Sequence, residues 1–463
     1  MKKLLFPVLT FMFIGSLAFA QEAEQSAKDA KSEEYRRSSL CLILVDEQDM
    51  PMRDLIVTSF LEAPMPDKFN DHNISGRVFC PDGWELSDAD RAAYDKAFNA
   101  AFESAGEGKP APKKKGGFGK LMKAAASIAL TEATGAETSV MVDSKDKDMY
   151  AVIANKHLLE QKVAKQLFDK WFIDNNGDFS MELVQERGLY GASMLDVQTA
   201  KNSVRGMDML KDAGEELINN TFVVVSRFRY LSKDELAAEL DAVAQALAGT
   251  TNNSNVSALA SLATTGAKAS LGAGYYVRST SFLFQLKWND DISNKFYSDL
   301  WDNPSEYEAS DIFSLKYIGQ ESAFANVKAS IFTNKPQDEL IQIATINATD
   351  AVLAKLQKKY EVFRTKTPLV VDGDKLYAYI GTKEGLEGGE RFEVLEQTVD
   401  AETGKTSYKR KGTVTVGKGK VWDNRFMAAE ELAQQGKQQT LSATEFTGSA
   451  NGLYSGMLLR QIK

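Results

Sequence analysis

The chain has 463 residues, 43% of them hydrophobic, enough for a large core, and after loss of a leader about 440 would remain, a length for roughly two to four domains. Its net charge of -9 excludes broad electrostatic binding to nucleic acid, which depends on clustered Lys and Arg neutralising phosphates. Two histidines and two cysteines leave little material for zinc sites or His-based catalysis.

Residues 1–20 have the layout of an export signal. Lys2 and Lys3 precede an apolar run over 4–17, and Ala18-Phe19-Ala20 supplies a small-x-small cleavage site, so the mature chain is expected to start at Gln21. The run is short for a membrane span, and no Cys follows the cleavage point, which argues against a lipoprotein. The expected location is the periplasm or cell envelope. Residues 21–35 are polar and charged and read as a flexible mature N-terminus.

An α/β body is expected over 36–366. The run at 38–45 (SSLCLILV) has the pattern of a strand buried on both faces. A helix follows at 52–61, then a loop, PMPDKFNDHN, then a short strand ending near Cys80. Ser87 with Asp90 forms a capping box that opens a helix to about residue 105. In an oxidising compartment Cys41 and Cys80 are a candidate disulfide, closing a loop of about 40 residues and stabilising by about 3–4 kcal/mol. The alternative is two unpaired thiols that pack as small hydrophobes.

Two flexible insertions are expected, near 106–140 and 248–273. In the first, Lys113, Lys114, Lys115 and Lys120 lead into an Ala-rich stretch with Leu121, Met122, Ile128 and Leu130. Such a segment suits either contact with an anionic membrane surface or a partner, or packing on its own domain. The Ser144-Lys147 stretch fits SxxK but reads as a charged loop. A long helix is expected at 150–172, then a tight turn at Asp174, Asn176 and Asp178. That turn imitates a calcium loop but has Phe179 where a Gly is required and Gln185 where Glu is needed.

Residues 181–186 read as a strand, 196–219 as one or two helices, and 221–230 (TFVVVSRFRY) as a strong strand, together a βαβ unit. A strand ending in Arg187, a helix carrying Asp196 and Ala200, then Gly206, Ala213, Gly214 and a strand from Thr221 resemble the periplasmic domain of curli-secretion channel proteins. That resemblance implies a place in secretion of a surface structure, and in such channels insertions form membrane-crossing hairpins. Here only the flank at 275–288 has strand character and Lys268 interrupts the other, which favours a loop on a soluble domain.

Ser232 and Glu235 cap a further helix to about 247. Helix is expected again at 291–301, strands at 313–318 and 327–331, and a long helix at 336–363 with a stripe of Ile341, Ala344, Ala348, Val352, Leu356 and Tyr360. From 367 to 463 the period changes to 2, with strands in KLYAYIG, ERFEVLEQ, YKRKGTVTV, KVWDNRFM and GMLLRQI, as in a small β-barrel or sandwich. Gly381, Gly385, Gly388 and Gly389 are expected in positive-φ turns. The series GLEGGERFEVLE, KGTVTVGKGKV and GLYSGMLLRQIK is similar to the C-terminal β-domain of periplasmic flagellar-assembly proteins, which implies a docking module without catalytic residues.

HExxH, GxSxG and phosphate-loop motifs are missing, and no cofactor is expected. His157 reads as a packed helix residue. His72 lies beside Asp67, Lys68, Asn70 and Asp71, a loop that reads as a satisfied turn or a binding loop. The expected function is therefore non-enzymatic binding of envelope protein partners, without nucleic acid. The alternatives are a peripheral membrane protein or channel-like oligomer inserting 116–133 and 249–289, and a hydrolase with a loop-assembled site.

Overall fold

Seven consecutive buried residues, Ser39–Val45, form strand β1, around which the first sheet is assembled. A computed structural model describes residues 35–104, 144–189, 217–231, 274–301, 303–328, 336–399 and 406–462. On one side β1 pairs in parallel with two short strands in line, β2 (Asn70–Asp71) and β3 (Val78–Phe79). On the other it pairs in parallel with β4 (Thr221–Leu231), from Ser39 opposite Thr221 to Val45 opposite Arg227. Antiparallel β5 (Gly274–Leu286) and β6 (Leu315–Lys328) complete the sheet.

Because side chains alternate along a strand, the apolar runs of β1 and β4 supply both faces at once. Cys41, Ile43, Val45, Val223 and Val225 enter one core; Leu40, Leu42, Leu44, Phe222 and Val224 enter the other. Such a sheet needs helices on each side. The second face is covered by α1 (Arg53–Glu62) and α8 (Gln337–Lys359), the first by α2 (Asp88–Ser104), α3 (Ser144–Glu160) and α4 (Val163–Phe172). Helix α6 (Asp290–Lys295) runs into a π-helical turn, Phe296–Leu300, and α7 (Pro304–Ala309) follows; Phe296 and Tyr307 add to the first core. The capping box at the start of α2 is present: Asp90 N–H donates to Ser87 Oγ at 3.2 Å, and Asp90 Oδ2 accepts from Ser87 N–H at 2.8 Å.

Several local expectations are corrected. Residues 181–186 are not a strand but enter helix α5 (Glu182–Leu189), whose first N–H is capped by Ser180 Oγ and whose buried Val184 and Arg187 have helical spacing. The parallel partner of β4 is β1, so the strand-crossover-strand unit runs from residue 39 rather than from 181. The helix at 150–172 is two helices, α3 and α4, broken where Lys162 takes a left-handed φ of 49°. The SxxK stretch is the first turn of α3, not a loop. The strands expected at 313–318 and 327–331 fall, as far as Lys328, in one strand, β6, interrupted by a bulge beside Gly319; residues 329–331 lie outside the described residues. The helix at 232–247 and both proposed insertions lie outside the described residues.

The C-terminal sheet is antiparallel throughout. Its strands are β7 (Thr367–Pro368), β8 (Val370–Asp372), β9 (Lys375–Ala378), β10 (Arg391–Val399), β11 (Thr406–Val416), β12 (Thr444–Thr447) and β13 (Leu458–Ile462). In the order β7-β13-β10-β11-β12-β9-β8 the ladder does not close into a barrel. Its two ends are nonetheless consecutive in the chain, β7 and β8 being separated only by Leu369. The strand expected in KVWDNRFM is a loop with one bridge, Gly381 to Trp422, leading into helix α9 (Ala428–Gln434). Gly381 has φ -161° rather than positive φ; it is glycine because a Cβ there would stand 2.0 Å from Trp422 O. Gly385, Gly388 and Gly389 have the expected positive φ.

The two parts are locked together. Phe426 and Met427 pack against the second core, Lys68 Nζ donates to Thr367 Oγ1 at 3.0 Å, and Lys383 Nζ lies 3.9 Å from Asp67 and 4.0 Å from Asp350. Edge strand β6 is closed by α8: Tyr360 Oη accepts from Gln320 N–H at 2.9 Å and donates to Gln320 O at 3.1 Å, while Lys355 Nζ donates to Ser322 O at 3.1 Å. At Gly319, with φ +155°, a Cβ would stand 2.1 Å from that hydroxyl. Gly319→Ala should therefore cost about 3 kcal/mol of stability through clash and strain. Tyr360→Phe, which only frees the edge, should cost about 1 kcal/mol; urea unfolding of both variants checks the difference.

Candidate functional site

The chain visits the β2/β3 side of β1 before returning to β4 on the other side. The carboxyl ends of β1 and β4 thus form a topological switch point, where ligands of α/β sheets bind. Two acids, Asp46 and Glu47, leave β1 there and serve opposite faces. Arg53, the first residue of α1, grips Asp46 through Nε at 2.7 Å and Nη2 at 2.5 Å. Arg227, opposite Val45, donates to Glu47 from Nε at 2.8 Å and Nη2 at 3.1 Å. Tyr150 of α3 also donates its hydroxyl to Glu47, and the Arg227 guanidinium lies 3.8 Å from the Tyr150 ring centroid.

Chemically this is a pair of charge-assisted clamps. Each carboxylate is spent on a forked guanidinium contact, so neither stands ready as a general base. No group of three His, Cys, Asp or Glu residues suited to a metal ion occurs among the described residues. The clamps tie α1, α3 and β4 to the end of β1.

At the opposite end of the same strands lies a second buried polar cluster. His72 is fully buried; its Nδ1 is 2.8 Å from Arg187 Nη1 and its Nε2 is 2.8 Å from Leu167 O. Arginine can only donate, so Nδ1 accepts and Nε2 keeps the proton it gives to Leu167. Arg187 also donates to Ser39 Oγ at 2.9 Å and Asp71 O at 2.8 Å and lies over Trp171 at 4.7 Å. Burial, then the adjacent Arg187 charge, holds His72 well below the usual histidine range. Burial likewise lowers Arg187 to about 10. The polar loop is thus a strut: His72 anchors it inward, and Lys68 and Asp67 reach the C-terminal sheet.

His157 stacks on Phe79 with centroids 3.7 Å apart, and burial lowers it to about 4. The candidate disulfide is not formed; both cysteines are free. Phe79 is opposite Val45, so Cys80 stands beside Asp46, five positions beyond Cys41. That is about 16 Å along a strand, whereas a bridge needs Cα atoms within about 7 Å. Burial raises the Cys41 thiol to about 11, leaving it an inert small hydrophobe. Lys113, Lys114, Lys115 and Lys120 lie outside the described residues. Of the segment at 249–289, residues 274–286 are β5, the strand between β4 and β6 with residues in both cores; residues 249–273 lie outside the described residues. No described helix is long and apolar enough to cross a membrane.

No protein-family model and no curated protein matches the chain. Sequence reasoning missed the clamps at Asp46 and Glu47. Two acids directly after a wholly apolar strand were the available signal, but their partners come from residues 53, 150 and 227.

Two outcomes follow. Unfolded histidines titrate near ~6.5, while the folded rings stay neutral to lower pH. Stability should be full above that pH and fall as pH drops below it, by up to about 1.4 kcal/mol per unit for each ring. For His157 the decline levels off near its folded value of about 4. Urea midpoints at about pH 7.5 and about pH 5 measure it. In thiol labelling, Cys80 should react in the native protein and Cys41 only after unfolding, giving two thiols without reductant.

Proposed function

We propose that this protein is an exported component of the cell envelope that works by binding protein partners, assisting the assembly or secretion of a surface structure. The observation that carries this reading is how the chemistry-bearing side chains are used. Asp46, Glu47, Arg187, His72 and His157 each hold one element against another. That is the construction of a rigid scaffold, with a β-domain fastened to an α/β body. The leader-like residues 1–20 give the address, and the resemblance of the C-terminal strands to flagellar-assembly β-domains agrees in kind.

Cell fractionation combined with crosslinking in intact cells tests the reading. The mature chain should fractionate with the envelope and form a discrete, reproducible crosslink to another envelope protein. Retention inside the cell, or an envelope-located chain that crosslinks to nothing, would contradict it.

A further inference from the structure

Docking of the two parts leaves a groove along their seam. Lys358 at the end of α8, Arg364, Glu390, Arg391 and the strand end Gln461–Ile462 surround a volume of about 340 Å³. The groove exists because β7 departs from β13 early. Their ladder covers only Pro368 with Leu458 and Thr367 with Leu459. Before Thr367 the chain is pulled aside by Phe363, which is fully buried against Phe69 and Phe222 at centroid distances of 5.1 and 5.0 Å.

Register shows what the gap exposes. Met457 O accepts from Leu369 N–H, and Leu459 pairs with Thr367, so alternate residues of β13 direct their backbone groups to this side. The next in that series is Gln461, whose N–H and C=O face the groove. Other edges are blunted: Gln320 of β6 by Tyr360, and Val371 of β8 by the Ser455 hydroxyl, which accepts from its N–H at 2.9 Å.

The charges around Gln461 are unbalanced. The Glu390 carboxylate is held by the N–H groups of Glu387 and Gly388 at 2.8 and 2.9 Å. Lys358 Nζ donates to Gly385 O, and Arg364 donates to the carbonyls of Gln357 and Lys358. These acceptors are neutral, so with Arg391 the groove sets three cations against one carboxylate, Glu390. Arg391, at the start of β10, has an exposed side chain on the groove. A cationic groove beside an open strand edge, in a chain of net charge -9, is complementary to an acidic strand.

We propose that this groove binds an extended acidic peptide segment of a partner, which adds to β13 at Gln461 and sets a carboxylate among Lys358, Arg364 and Arg391. The proposal rests on the partner-binding reading and names the chemistry of the partner. Fluorescence polarisation of the full mature chain with a labelled hexapeptide of alternating Val and Glu tests it, against a Val/Gln control and inorganic phosphate. The Glu peptide should bind and the Gln peptide should not. Arg391→Glu should weaken binding at least about tenfold. Gln461→Pro, tolerable at an edge because it removes only the outward N–H, should do so by about as much with every cation in place. Equal binding of the Gln peptide, wild-type affinity in both variants, or an affinity for phosphate alone that matches the peptide's would overturn the proposal. If the crosslink in cells survives both substitutions, the groove is wrong and the partner-binding reading stands; if the wild-type chain forms no crosslink, that reading falls separately.

Discussion

Parallel pairing of β1 with β4, residue for residue from Ser39 to Val45, is the constraint on which the remaining structure depends. Both strands are apolar on both faces, so neither can border water. Each therefore needs a neighbour on both edges and a helix layer above and below. The layers follow directly. Helices α1 and α8 bury Leu40, Leu42 and Leu44; α3 and α4 bury Cys41, Ile43 and Val45. The C-terminal sheet then rests on the α1/α8 side through Phe426 and Met427, so its position too derives from the central strands.

Parallel strands leave two polar ends, and each has been closed. At the carboxyl end two acids meet two arginines; at the amino end Arg187, His72, Trp171 and Thr221 form a chain of hydrogen bonds and ring contacts, Trp171 Nε1 donating to Thr221 Oγ1 at 2.9 Å. A buried guanidinium facing only neutral acceptors is costly unless every contact is made, because removing one partner strands a desolvated charge. Such sites reward rigidity. Here that partner set joins helix α5, the loop before β3 and the start of β1 at one point.

Legibility in the sequence followed the range of the interactions. Strands β1, β4 and β5, helix α1, the Ser87 cap and the long helix α8 were readable, since each rests on a local period or a short-range hydrogen bond. Residues 181–186 were misread because so short an apolar pattern fits either period, and the deciding contact, Arg187 with His72, spans the fold. Strand β6 looked like two strands because Gly319 breaks the alternation at a bulge. The clamps, the seam groove and the separation of Cys41 from Cys80 depend on register between distant segments, which no local pattern encodes.

Native-state hydrogen exchange read by mass spectrometry addresses the central claim most directly. If β1 and β4 are the pair on which everything else is assembled, amides at 39–45 and 222–228 should be the slowest in the chain and should open together, only on global unfolding. Exchange of the 39–45 amides ahead of those in the C-terminal sheet, or independently of 222–228, would contradict the account.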